Sequence, residues 1–209
     1  MNFSADSLLM RVMTWLAEMV KLQLFFWMGV LRGLIVGGIF PSLIAIFGTS
    51  RDMIRNEDIN ARKEKFWEVY QQEFKRANLV GYGSLVFAAL LVIYFRLTTQ
   101  ITTGVATLFV FAGYGFIILF ALLCLYIPTI MVHLDLSLFQ TIKHAVIIML
   151  ACPVHTVIMG LMLLLFAYVV VRWFILVPFI AIAMLAFGLT YVGLDAINRL
   201  TVRLEKTSK

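Results

Sequence analysis

The chain opens on an amphipathic stretch. From Ser7 to Lys21, Leu8, Leu9, Val12, Met13, Leu16, Met19 and Val20 recur at helical spacing, with Ser7, Arg11, Thr14, Glu18 and Lys21 on the other side. Such a helix enters a membrane from the headgroup region. It runs on through LQLFFWMGVLRGLIV, the first expected crossing, until Gly37, Gly38 and Pro41 break it. The segment PSLIAIFGTSRDMI is then helical but short. Its reach of roughly 21 Å falls below the roughly 30 Å of a hydrocarbon core, so it reads as a return helix. Gly48 is expected to weaken it midway.

Residues 51–76 change character, with seven basic and six acidic side chains. Asn56-Glu57-Asp58 marks a turn. From Ala61 the pattern is helical, and Phe66, Trp67, Tyr70 and Phe74 form one stripe. The helix is expected to continue unbroken into the apolar run Ala77–Phe95, the second crossing. A short polar loop, Arg96 to Thr103, leads to the third crossing, Gly104 to Ile127, ending near Pro128. His133 to His144 is polar again, and Ser137 with Gln140 matches a capping box. That helix is expected to kink at Pro153 and run to Val171 as the fourth crossing. Phe174 to Leu194 is the fifth, followed by a basic tail.

Composition fixes the solvent. Apolar residues are 63% and charged residues 13% of 209, and the mean hydropathy is +1.00. A soluble domain of this size has too little interior to hide that surface. A soluble enzyme, a disulfide scaffold and a disordered tail are therefore excluded. The net charge of +6 does not indicate nucleic acid, because the basic residues lie between apolar runs. They report orientation instead. With a cytoplasmic N-terminus, thirteen of the seventeen Lys and Arg residues fall inside, and Arg96 and Arg172 fall outside. The expected fold is one all-α polytopic membrane bundle over residues 1–209. It has five full crossings, one short return helix, both termini cytoplasmic, and a charged cytoplasmic segment at 51–76.

Chemistry is sparse. Cys124 and Cys152 lie in apolar runs and read as packing residues. His144 and His155 sit about 16 Å apart along a helix, too far for one metal. His133 and Asp135 read as a solvated pair. No phosphate loop or activated nucleophile is present, so the chain is expected to be no enzyme, with no catalytic, cofactor-binding or metal site. Glu18–Lys21 and Asp195–Arg199 are spaced as local ion pairs. Arg32 is a charge inside the first crossing. It either snorkels to headgroups or serves a functional network. The stripe of Phe66, Trp67, Tyr70 and Phe74 either packs on the protein's own helices, with the return helix Pro41–Ile54 receiving Phe66 and Phe74 before Trp67 and Tyr70, or rests in the inner headgroup layer, or forms a partly exposed docking face.

Two stretches carry a resemblance. Gly38-Ile-Phe-Pro41-Ser-Leu-Ile-Ala45 is similar to the Gly-x-x-Pro segment of the YesL-like family of bacterial membrane proteins, departing from it at Ile39 and Phe40. FWEVYQQEFKRANLVGY, Phe66 to Tyr82, resembles that family's basic-aromatic helix, and Ile127 through Ser137 and Lys143 to Pro153 fits its polar loop and next helix. The resemblance implies an integral protein of a Gram-positive plasma membrane, associated with carbohydrate uptake and carrying no assigned functional residues. The expected role is an accessory or regulatory subunit of a carbohydrate ABC transporter, with a permease or ATPase subunit and the lipid bilayer as partners. The alternative is a small independent transporter or channel-like protein. A permease is disfavoured because the charged stretch lacks a Glu-Ala-Ala coupling loop.

Overall fold

A computed structural model describes residues 3–55, 61–98, 105–134 and 136–207, with the side chains of 1–8, 99–106 and 203–209 outside the description. The fold is all-α. The helices are α1 (Phe3–Arg32), α2 (Ile39–Ile54), α3 (Arg62–Gln72), α4 (Phe74–Thr98), α5 (Val105–His133), α6 (Leu138–Ala151), α7 (Pro153–Arg172) and α8 (Ile182–Thr207). The expected turn at Asn56–Asp58 and the residue Asp135 lie outside the described residues.

Among the described residues, four stretches are long and apolar enough to cross a membrane: Phe74–Thr98, Thr107–His133, Pro153–Arg172 and Phe174–Val202. The first expected crossing is not among them. Glu18, Lys21, Gln23 and Arg32 interrupt the apolar run of α1 too often, and the structure gives those groups protein partners.

Three helix boundaries differ from expectation. The stretch from Ala61 into the second crossing is interrupted at Glu73, whose backbone (φ −91, ψ 2) leaves the helical range between α3 and α4. The helix expected to kink at Pro153 breaks outright into α6 and α7 at Cys152 (φ −123, ψ 63). Pro153 disfavours the helical conformation at the residue before it. Conversely, Pro128 does not end α5, which runs on to His133. Here the proline is tolerated because neighbouring helices enclose it. The capping box is present as expected, with Ser137 Oγ accepting from Gln140 N–H and Gln140 Oε1 accepting from Ser137 N–H.

The core is built around α2, which packs on α1, α3, α4, α5 and α8. Ten of its sixteen residues are buried. Small side chains allow the close approach, as is usual between helices that lack an aqueous driving force. Gly29 faces Ser42, Gly48 faces Val69, Gly81 faces the Phe40 ring and Gly193 faces Thr129. Gly48 therefore seats α3 on α2 and does not weaken the helix. The Gly33–Gly38 turn reverses the chain between α1 and α2. Its left-handed residues are Leu34 (φ 53) and Ile35 (φ 66), not its glycines. Gly38 serves close approach instead: a Cβ there would lie 2.5 Å from the Val30 carbonyl oxygen and 2.6 Å from that of Gly29.

Between α7 and α8 the backbone passes through a 3₁₀ turn (Phe174–Leu176) and a π-helical turn (Val177–Ala181). α1 satisfies the groups this irregular stretch frees. Gln23, fully buried, donates to the Val177 carbonyl (3.2 Å) and accepts from Ala183 N–H (3.0 Å). Trp27 Nε1 donates to the Pro178 carbonyl (2.8 Å). Non-helical backbone at membrane depth persists only with such partners.

Candidate site at the hairpin turn

The aromatic stripe follows helical spacing, but its orientation corrects the expectation of a partly exposed docking face. α3 packs chiefly on α2, the short helix expected to receive the stripe, and the stripe's side chains also reach α1. Phe66 is fully buried and its ring centroid stands 5.8 Å from that of Phe25. Tyr70 is buried, and its hydroxyl donates to the Gly29 carbonyl at 3.0 Å. Burial pushes the Tyr70 phenol above its usual range, and the charge of Arg32 opposes that shift. Phe74 is half-buried and packs edge-on to Tyr70 at 5.6 Å. These three rings hold α3 in place. The expectation that Tyr70 would be freer than Phe74 is reversed, because Tyr70 has a carbonyl partner on α1.

An ion pair locks the other end of α3. Arg62 Nη1 donates to Glu18 Oε2 at 2.7 Å, and Lys21 Nζ donates to Glu18 Oε1 at 2.9 Å. Burial works against the Glu18 charge, but the hydrogen bonds and charges of Lys21 and Arg62 outweigh it and hold the carboxyl below its usual range. The Glu18–Lys21 pair was legible from spacing. Arg62 was not, since it lies 44 residues away.

Trp67 differs from its neighbours in the stripe. It is half-buried, and the Arg32 guanidinium stands over its ring, 4.9 Å from the centroid. Arg32 itself is exposed. It closes the last turn of α1, where the helix dipole favours a cation. The two candidates that the sequence held apart thus meet at one surface point beside the hairpin turn. A solvent-exposed cation–π contact of this kind contributes roughly 0.5–1 kcal/mol. Around it, α3 exposes Lys63, Glu64, Glu68, Gln71 and Gln72.

The turn is fastened from α4. Asn78 Nδ2 donates to the Gly37 carbonyl (3.0 Å) and the Tyr82 hydroxyl donates to the Val36 carbonyl (2.7 Å). Leu34, Ile35 and Val36 point outward from it. Sequence reasoning passed over Gln23, Asn78 and Tyr82. The available signal was a polar atom within or beside an apolar run, which at membrane depth needs a named partner.

The remaining polar groups are dispersed. His144 bonds to the Gln140 carbonyl of its own helix (2.8 Å), while His155 Nε2 meets Asp195 Oδ2 (2.8 Å). Arg199 Nε donates to the same Asp195 oxygen at 2.9 Å, so the expected Asp195–Arg199 pair forms. His133 Nδ1 lies 3.3 Å from Arg55 Nη2. Among the described residues no three His, Cys, Asp or Glu side chains cluster to hold a metal ion. The arrangement at the turn is suited to binding, through an aromatic ring, a cation and a charged helix face.

The site lies within the part of the chain that a family model matches. Residues 19–95 match the model of a family described as Protein of unknown function, DUF624. This segment is similar to the DUF624 family. It begins within α1 and takes in the hairpin turn, α2, α3 and nearly all of α4. The Gly38–Ala45 and Phe66–Tyr82 stretches that carry the YesL-like resemblance both fall inside the DUF624 segment. Over 190 residues the chain is 25% identical to the Uncharacterized protein YteU of Bacillus subtilis (strain 168), covering 86% of this chain and 80% of that protein. No solved structure matches.

Proposed function

We propose that this protein is a non-catalytic subunit of a bacterial plasma membrane, accessory to or regulating a carbohydrate ABC transporter. The observation that carries the reading is the Arg32–Trp67 contact at the surface of a rigidly seated α3. Trp and Arg are the residue types that dominate binding hot spots, and a charged rim around them suits a protein partner. Phe66 and Tyr70 serve this surface indirectly, by fixing α3 to the hairpin. The YesL-like resemblance supplies the candidate partner, a sugar-transporter permease or its ATPase. The basic asymmetry along the chain supports a cytoplasmic α3, with both termini on the same side. The transporter alternative has less support, because a cleft of about 800 Å³ between α4 and α5 is lined by apolar side chains apart from Arg96.

The test is affinity purification from the native host in mild detergent. Trp67→Ala and Arg32→Gln are expected to lose a co-purifying transporter subunit while the protein is still expressed and melts cooperatively, with a modest drop in melting temperature that is larger for Trp67→Ala. Unchanged co-purification in both variants, or an original preparation free of transporter subunits, overturns the proposal. Labelling of a Glu64→Cys variant in intact cells tests the orientation separately. An impermeant maleimide is expected to leave it unmodified until the cells are permeabilised.

A further inference from the structure

We infer that the cleft between α4, α5 and α7 is a binding site for one anionic phospholipid, with an acyl chain along the cleft and the phosphate at Arg96. The cleft is an open groove with a volume of about 800 Å³, room enough for an acyl chain. Ala88, Leu91 and Phe95 of α4, Phe120 and Ala121 of α5, and Leu163 of α7 line it. Alanines on both walls leave the room, and large side chains close its sides. Such a surface takes a hydrocarbon chain and offers nothing to a sugar or an inorganic ion.

The polarity of the cleft runs one way. Among the described residues lining it, Arg96 is the charged one, and it sits in the last turn of α4. From Arg96 to Ala88 is eight residues, about 12 Å at 1.5 Å per residue, close to the roughly 15 Å depth of one leaflet. Cys124 lines both this cleft and a second one, of about 230 Å³, beside Val80 and Ser84. The apolar track therefore continues inward, where a longer chain would end. A lipid placed this way has its headgroup at the membrane surface and its tail in the cleft. A guanidinium has five donors in a planar fork, so Arg96 can hold a phosphate together with a protein partner. No carboxylate stands among the described lining residues to hold an ammonium headgroup, which favours an anionic lipid over a zwitterionic one.

The experiment uses the full-length protein, purified in mild detergent and equilibrated with mixed micelles of equal phosphatidylglycerol and phosphatidylethanolamine. Native mass spectrometry counts what is retained. One phosphatidylglycerol per chain is expected, in excess over phosphatidylethanolamine. Arg96→Gln is expected to lower that excess about fivefold, in line with the worth of one basic residue at an anionic headgroup, and Arg96→Lys to restore most of it. Ala121→Trp should reduce retention of both lipids by filling the cleft. Should that variant not fold, the exposed Arg96 pair still decides the matter. Equal retention of the two lipids, unaltered by Arg96→Gln, means a lipid annulus only and overturns the proposal. So does retention of a second copy of the chain, or of a partner's helix, where the lipid was expected.

Discussion

α2 and α4 are both apolar helices, and they are used in opposite ways. α2 is enclosed by five other helices and buries ten of its sixteen residues, including Ser42, Thr49, Ser50 and Asp52. α4 is longer, yet three of its twenty-five residues are buried. α5 repeats the contrast within one helix. Its stretch from Leu125 to Val132 is buried, while Leu108, Phe109, Phe111, Phe116 and Ile118 are exposed. Where apolar side chains face outward they face a solvent as apolar as themselves, so hydropathy marks contact with lipid and not the interior. The interior is marked by small and hydroxyl-bearing residues that let backbones approach. The DUF624 segment takes in the second half of α1, the turn and all of α2, and also most of α4, which borders the lipid.

That contrast is sharpest in paired substitutions. Phe66→Ala, in the seam between α1 and α3, is expected to lower stability by about 3–5 kcal/mol. Phe87→Ala, on the half-open face of α4 where the ring packs tilted against Phe120 at 4.6 Å, should lose about 1 kcal/mol. Thermal melts in detergent measure both, and equal losses would erase the distinction between the regions.

Glycines give the next largest effect. Gly38→Ala forces a methyl into the Val30 and Gly29 carbonyls and is expected to destabilise by about 2–3 kcal/mol. Gly83→Ala meets nothing within 4 Å and should be neutral or gain up to about 1 kcal/mol. A tolerated Gly38→Ala would show that the hairpin is looser than its contacts imply.

At Ile35 the direction reverses. A β-branched residue at φ 66 is strained, and Ile35→Gly is expected to raise stability by about 1 kcal/mol. A lower melting temperature in that variant would mean that the exposed side chain matters more than the backbone strain.

The smallest effect is the pH dependence of the Glu18–Arg62–Lys21 cluster. The folded pKa of Glu18 lies below its unfolded value. Its stabilisation is therefore present above the ordinary carboxylate range and is lost as the pH falls through the folded pKa, below about pH 4. The melting temperature should drop over that window, and Glu18→Gln should reduce the drop. Identical acid limbs in the two proteins would remove the cluster from the seat of α3.

Much of the fold was legible because periodicity and punctuation are local. The amphipathic start of α1, the break before Pro41, the Ser137–Gln140 box and the apolar runs of α4, α5 and α8 all follow from neighbours in sequence. What was not legible depended on contacts across the chain. Arg62 reaches Glu18, Gln23 reaches Val177 and Ala183, and Tyr70 reaches Gly29. These distant partners make one face of α1 a wall of the core. They also turn the aromatic stripe inward. Spacing put Phe66, Trp67, Tyr70 and Phe74 on one side of a helix, but only the positions of α2 and α1 decide which side that is. Arg32 and Trp67 were each singled out, yet nothing in their 35-residue separation could bring them together.

The inward seating of α3 is best tested by cysteine accessibility in a background carrying Cys124→Ala and Cys152→Ala. Single variants Glu64→Cys, Trp67→Cys, Phe66→Cys and Tyr70→Cys would be labelled with a water-soluble maleimide in mild detergent, before and after denaturation. Rapid labelling of Glu64→Cys, intermediate labelling of Trp67→Cys, and labelling of Phe66→Cys and Tyr70→Cys only after denaturation is the expected result. Rapid labelling of Phe66→Cys and Tyr70→Cys in variants that melt cooperatively would contradict it and put the whole stripe back on the surface.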